Sequence, residues 1–536
     1  MKRLKAPLLL LTLFALSSVL IPQAAGAAPG DEVVRPFTLD PTPRLHQRGW
    51  QAVPGAVEEF LVAVDPQAVA ADPETVLLDL PGGPPVEAYR QRFTDYGPDW
   101  KSWFGTVRAG GAGGPEIGTV YLGYHGSQLT AWIEVEGRRY RITGGVDGSH
   151  RLVRIAPRKL TDALCPLDTA APSRSAPLAE PGRGLRSDAG SGLGGDPVLV
   201  PQALTRLDVI VVYPKAFFPF VLSEVDLHNE VEDAIALGNN AFTNSNVSAF
   251  YNLRYVGPLI GAQPPATGLI GGLNWMNTNP SEVVALRTAF GADIVAMYIP
   301  FIWDDDPYCG VANLPEANGT IVAQLGIIDV TFGDRTYTVN RQSCGFGDYT
   351  LPHEIGHNYG MRHDTDSTGS SHLFPNGRGH DLTSLGKSTL MACTCVPSGC
   401  TAGTSAVCNR ILQISDPAIF YQGVATGTSD RNNAAVGRTQ VGPYSSFRPV
   451  KSNTPPTASF SVSCAGRTCT LNASASTDNQ TIPAGGYWWD FGDGTTGTGK
   501  IVNHTYAGTG TFFWVHLLVT DSGGQKDLGI DVAQPN

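Results

Sequence analysis

The sequence predicts a multidomain chain: a β-rich N-terminal unit, an α/β unit in the middle, and a small all-β sandwich at the end. Three observations predict it. At 536 residues the chain is too long for one ordinary domain and suits roughly three or four. Strand-like and helix-like segments alternate only over residues 207–299. On either side of that stretch, apolar residues recur at every second position between turn signals, which is the period of strands.

Taken in order, the chain opens with a positive start at Lys2, Arg3 and Lys5, an apolar run over 8–20, and the small residues Ala25, Gly26 and Ala27. This is the pattern of a secretory signal peptide over 1–27, removed near Ala27. The run is short for a span of ~20 residues, so we expect no membrane anchor, and no later stretch is apolar enough to supply one. Residues 28–165 form a β-rich unit, with alternating segments at 118–124, 129–135, 139–142 and 152–155. Residues 166–203 are Gly-, Pro- and Ser-rich and read as a linker, where Arg174, Arg183 and Arg186 offer a protease a place to cut.

The unit at 204–447 begins with a β-branched run at 207–213, expected to be a buried strand. An amphipathic helix over 225–242, a strand over 250–256, a helix over 281–290 and a strand over 293–299 follow. Residues 448–454 form a second linker. Residues 455–536 show short alternating strands and no helical period, which predicts a small β-sandwich.

Composition narrows the function classes. With 42% hydrophobic residues the chain can fill cores. A formal charge of −11 argues against nucleic acid as the main partner, because phosphate binding needs clustered Lys and Arg. There are nine cysteines. Export permits disulfides. Cys309, Cys344, Cys393, Cys395, Cys400 and Cys408 form one group, whose 15 pairings the sequence leaves open. Cys464 and Cys469 form a local pair, and Cys165 is left over.

The chemistry is concentrated at 353–364, which reads HEIGHNYGMRHD. His353 and His357 are four apart, so on a helix they share a face and can bind one Zn²⁺. Glu354 can take a proton from a water on the open side of the metal and pass it to the leaving amine. Gly360 can adopt the left-handed conformation that ends the helix and reverses the chain, returning His363 as third ligand. Three protein ligands leave one position open, as catalysis requires. A bare HExxH arises by accident on ordinary helices; the full HExxHxxGxxH is far more specific. His372 and His380 lack the spacing and read as loop histidines. The consecutive Asp304, Asp305 and Asp306 could suggest Ca²⁺, but without a loop pattern they read as a solvated turn.

This run resembles the extended zinc motif of the metzincin metalloproteases. The resemblance covers about 207–447, with its specific residues between 353 and 391. It implies a twisted mixed sheet with helices, and a Met-turn beneath the zinc; Met391 matches that element. Asp364 resembles the reprolysin (adamalysin-like) branch, where it is expected to brace the site rather than bind metal. The segments at 416–417 and 432–435 resemble the end of bacterial reprolysin-like domains. Ala392 and Cys393 stand where some metzincins carry a tyrosine, so no such role is assigned. An edge strand near 310–314 and 320–325 is expected to bind peptide by strand addition, though an ordinary edge strand would look the same.

The unit at 28–165, including 103–107, resembles the propeptides of secreted metzincins. Cys165 is then a candidate latency ligand at the open zinc position, or else a spare thiol. The tail, with WDFGDG at 489–494, resembles a PKD domain, an immunoglobulin-like β-sandwich. Such domains accompany secreted hydrolases and either hold insoluble polymer or act as spacers.

The reading is therefore a secreted zinc endopeptidase, made as a latent precursor and acting on protein or peptide substrates. One alternative is a non-enzymatic secreted binding protein working through its PKD domain, but all four residues of the zinc machinery are present. Hydrolysis of another polymer is the other, and only the family resemblance selects peptide.

Overall fold

The computed structural model describes residues 34–42, 56–144, 149–156, 204–217, 221–300, 309–315, 335–342, 349–364, 374–392, 409–508 and 512–535. Cys165, the acidic run at 304–306, the segment 320–325 and His372 lie outside them. No helix among the described residues is long and apolar enough to cross a membrane.

The N-terminal unit is one nine-stranded antiparallel sheet. Strands Thr75–Leu78, Val86–Gly97, Trp100–Arg108, Glu116–His125, Gln128–Val135, Arg138–Gly144 and His150–Ile155 form a meander; Ala56–Val64 and Phe37–Leu39 extend the far edge. Its two faces are both packed. Trp103, Val120, Leu122, Ile133 and Ile142 form the unit's own core. Phe104, Tyr121 and Trp132 point the other way and join the core of the central unit. Burial on both faces explains why Trp100–Arg108 shows no clean alternation and escapes a reading by period.

The central sheet has the order Ala249–Leu259, Thr205–Pro214, Ile294–Ile299, Tyr337–Arg341, Gly310–Ala312. The first four strands are parallel; the last is antiparallel and lies at the edge. The β-branched run fills both layers. Val209, Val211 and Tyr213 face helices Val221–Asn244 and Thr350–Asn358, while Ile210 and Val212 face Gly268–Met276 and Ser281–Phe290. Helix Gly268–Met276 was not foreseen, because paired glycines weaken a helical pattern. One of them packs closely: a Cβ at Gly272 would stand 2.9 Å from the Met297 methyl, which would have to move aside.

The N-terminal sheet docks on helix Val221–Asn244 through buried polar contacts. The Tyr121 hydroxyl donates to Asp233 at 2.8 Å. His125 meets Glu232 at 3.0 Å through Nδ1 and Asp233 at 2.8 Å through Nε2. Arg141 reaches Glu230 at 3.5 Å, and Lys387 reaches back to Glu134 at 2.6 Å.

The C-terminal unit has two sheets, Ser461–Ala465/Thr468–Asn472/Ile501–Thr505 and Thr496–Thr498/Tyr487–Asp490/Phe513–Thr520/Lys526–Ala533. They share a core of Leu471, Trp489, Val515 and Leu517. Cys464 and Cys469 are disulfide-bonded across the first hairpin; Cys309 is also disulfide-bonded. This unit does not hang on its linker. Gln525 donates to the Ala289 carbonyl at 3.0 Å, and Ile260 packs against the cluster of Leu518 and Leu528 with Trp488 and Trp514.

Candidate metal centre

Helix Thr350–Asn358 is buried on every side. Pro352 is tolerated because it sits in the first turn, where backbone N–H groups have no helical partner. His353 and His357 project together from this helix, with ring centroids 4.8 Å apart. After Tyr359 the chain turns at Gly360, whose φ is +88°. The Met361 N–H bonds back to the Gly356 carbonyl at 3.1 Å, which closes the turn. A side chain at 360 would be strained in that conformation, and its Cβ would lie 2.9 Å from the Phe374 ring.

Beyond the turn, Arg362 is fixed by two backbone bonds of 2.8 Å to Gly377 and Gly379. The Asn433 side chain donates to its carbonyl at 3.0 Å. The next residue, His363, thereby points back at the helix, 4.5 Å from the His357 ring.

The donor set fits a tetrahedral cation. The three imidazoles each offer a nitrogen, all within 4.8 Å of one another. The Nε2 atoms of His353 and His363 are 3.3 Å apart. Two Zn–N bonds of ~2.0–2.1 Å at a tetrahedral angle put their nitrogens about 3.3 Å apart. The opposite nitrogens are held by carbonyls: His353 Nδ1 donates to Leu390 at 2.8 Å and His357 Nδ1 to Met361 at 2.9 Å. Such bonds fix the tautomer and leave the Nε2 lone pairs facing inward. Burial also pushes His353 well below its ordinary pKa, which keeps the ring neutral.

Glu354 follows His353 on the helix and is almost fully buried. Burial pushes its carboxyl up to about 8, and the Arg410 charge acts in the opposite direction. A divalent cation nearby would pull it down further. Edge strand Gly310–Ala312 runs past the carboxylate so closely that a Cβ at Gly310 would be 2.6 Å from Glu354 Cγ.

Met391 is fully buried under the helix, and its sulfur would be 2.5 Å from a Cβ at Gly356. That glycine was not singled out in the sequence, although only a residue without a side chain fits over the sulfur. Asp364 is buried and shares a hydrogen bond with Asp381. Burial first, and then Asp364, push Asp381 up to about 8. His380 is half-buried near this pair, with its pKa lowered by burial. Sequence reasoning also missed Leu390, Asp381 and Arg410. Leu390 acts through its carbonyl, and Asp381 and Arg410 are brought in by distant chain segments, so no local spacing marks them.

A model of the PKD domain matches residues 453–533. Over 385 residues, 70% of this chain and 82% of the other, the chain is 25% identical to the peptidyl-Asp metalloendopeptidase of Xanthomonas campestris pv. campestris. It is 24% identical to the peptidyl-Asp metalloendopeptidase of Stenotrophomonas maltophilia over 361 residues, 64% of this chain and 76% of that one. Among solved structures, metalloproteinase-II of Bacteroides fragilis aligns with 56% of this chain and 85% of its own length, at 11% identity and a TM-score of 0.31.

Proposed function

We propose that the chain is a secreted zinc metalloendopeptidase of the metzincin type, reprolysin-like, made as a latent precursor. The observation that carries this is the buried triad of inward-facing Nε2 atoms, with the buried Glu354 next to His353 on the same helix. The likeness to two proteins named metalloendopeptidases supports the reaction. His353, His357 and His363 would hold one Zn²⁺. When bound, zinc polarises the scissile carbonyl and lowers the pKa of a ligated water towards ~7. Glu354 takes the proton of the attacking water and returns it to the leaving amine. Gly310–Ala312, at the sheet edge alongside Glu354, offers its backbone to an extended substrate. Gly360 and Met391 support the ligand helix, and Asp364 braces the returning loop. The relatives' names point to aspartate in the preferred substrate.

Removal of the metal tests the reaction. Cleavage of a denatured protein should disappear with a chelator and return when Zn²⁺ is added back in slight excess. Undiminished cleavage by metal-free protein, checked by elemental analysis, would sink the proposal.

Latency is assigned to Cys165, the cysteine left over from the sequence count, which lies outside the described residues, with activation by a cut within 166–203. Cys165→Ser should make the uncut precursor active against a quenched peptide. A variant as inactive as the uncut wild type would rule the thiol out. The PKD domain is proposed as the part that holds the enzyme on insoluble substrate.

A further inference from the structure

The geometry points to Asn358 as a positioning residue, whose side-chain amide sets the substrate-binding edge strand against the ligand helix and so aligns the scissile bond with Glu354. This rests on the strand-addition reading above and adds the residue that gives the added strand its place. Asn358 ends helix Thr350–Asn358, directly after His357. It lies four residues beyond Glu354, so both share a helical face. Along that face runs edge strand Gly310–Ala312 with its continuation. At one end, a Cβ at Gly310 would be 2.7 Å from Glu354 Oε1. At the other, Asn358 Nδ2 donates to the Asn313 carbonyl at 2.6 Å.

The strand pairing defines what this contact controls. The Arg341 N–H donates to the Cys309 carbonyl at 2.9 Å, and the Asn313 N–H to the Tyr337 carbonyl at 3.1 Å. Between them Gly310 pairs with Asn340, Val311 with Val339 and Ala312 with Thr338. Bonded pairs alternate in an antiparallel ladder, so residues 309, 311 and 313 turn their backbone groups inward. The N–H and C=O groups of Gly310 and Ala312 then face the edge that carries no further strand among the described residues. An extended peptide would pair there. The ladder fixes strand to strand, and Asn358 ties both strands to the ligand helix. Its Nδ2 also reaches the Tyr337 carbonyl, at 3.3 Å, which already accepts from Asn313.

The amide serves here through its donor. Both acceptors are backbone carbonyls, so the atom facing them is the nitrogen. Asn358 is fully buried, and its Oδ1 has no hydrogen-bond partner among the described residues. A buried acceptor left unmade is a cost that an apolar side chain of the same size would avoid. The contact is braced from both ends. The Tyr444 hydroxyl donates to the Asn358 carbonyl. Asn313 is fixed by a reciprocal amide pair with Asn277, at 2.6 and 3.0 Å, and by a bond of 2.7 Å to the Arg335 carbonyl.

The test compares two peptides with the same residues at the scissile bond. One has about eight residues and can pair along Gly310–Ala312; the other is cut back to the capped residues flanking the bond. The zinc-loaded wild type should favour the long peptide by at least about tenfold in kcat/KM. Asn358→Leu keeps the volume and removes the donor. It should bring that ratio within about twofold at unchanged zinc content, through kcat. A ratio taken within one preparation cancels any loss of folded enzyme. Fluorescence anisotropy on Glu354→Ala protein should show long-peptide binding changed less than about threefold by Asn358→Leu, because the ladder still presents the strand. Asn277→Ala loosens Asn313 from outside the ligand helix and should lower the ratio about two- to fivefold. Equal losses on both peptides in Asn358→Leu, or a loss that lies in binding, overturn the assignment and leave the endopeptidase reading intact. If Asn358→Leu does not fold, an unchanged ratio in Asn277→Ala overturns it. Wild type without a length preference overturns strand addition and the assignment together. Wild type that cleaves neither peptide with zinc bound overturns the endopeptidase reading as well.

Discussion

Glu354→Ala should lower kcat by roughly 10²–10⁴-fold, the range for loss of a positioned general base, while zinc content stays near one ion per chain. The two readouts separate because the triad is complete without the carboxylate. His353, His357 and His363 converge by themselves, and two of them are fixed through Nδ1 by the Leu390 and Met361 carbonyls. Folding should not suffer, since burial opposes the ionised form of this carboxyl. Elemental analysis and steady-state kinetics on one preparation decide the matter. A kcat within tenfold of wild type would remove Glu354 from the reaction. A loss of zinc equal to the loss of rate would make it a ligand instead of a base.

A second large effect is expected far from the metal. Asp233→Ala should destabilise the docking of the N-terminal sheet by about 3–5 kcal/mol, the usual result of removing one partner from a buried charged pair. Asp233 is almost fully buried and takes two bonds across the interface, from Tyr121 and His125. His125 also meets Glu232 at 3.0 Å through its other nitrogen. Urea denaturation in the Glu354→Ala background, which prevents self-digestion, gives the free energy. Hydrogen exchange over 116–135 gives its location. A change below about 1 kcal/mol would show that the network does not hold the units together.

The same helix gives this docking a pH dependence. Burial pushes Glu230 up to about 8, and its Oε1 has no hydrogen-bond partner. The folded state thus holds a proton that the unfolded chain releases near the ordinary carboxyl range. This group's contribution favours the folded state least at high pH: stability falls as pH rises from about 4.5 towards about 8.

Much of the site is legible in the sequence because its parts are local. The four-residue spacing of His353 and His357 is a helical repeat, and the turn at Gly360 is a property of one residue. The parallel strand 207–213 is equally visible, since it is apolar throughout. What escapes is assembled from a distance. Arg410 reaches the site by strand pairing with a segment more than twenty residues away, and Asp381 meets Asp364 only after the loop closes. Gly356 and Gly310 look ordinary until Met391 and Glu354 are seen against them. Trp100–Arg108 and Gly268–Met276 escape for another reason. Burial on both faces erases the alternation of the first, and glycines needed for close packing weaken the helical pattern of the second.

The contacts of the C-terminal unit change how the whole protein behaves in motion. Ile260 is packed among Leu518, Leu528, Trp488 and Trp514, and Lys526 faces Glu282 at 3.6 Å. Gln525 bonds across the same boundary. Two units joined by a loose tether tumble separately, each with its own rotational correlation time. Units pinned in this way reorient together, so the metal centre keeps one bearing relative to the tail. On any surface that holds the tail, the height and direction from which the metal centre approaches are then set by the fold.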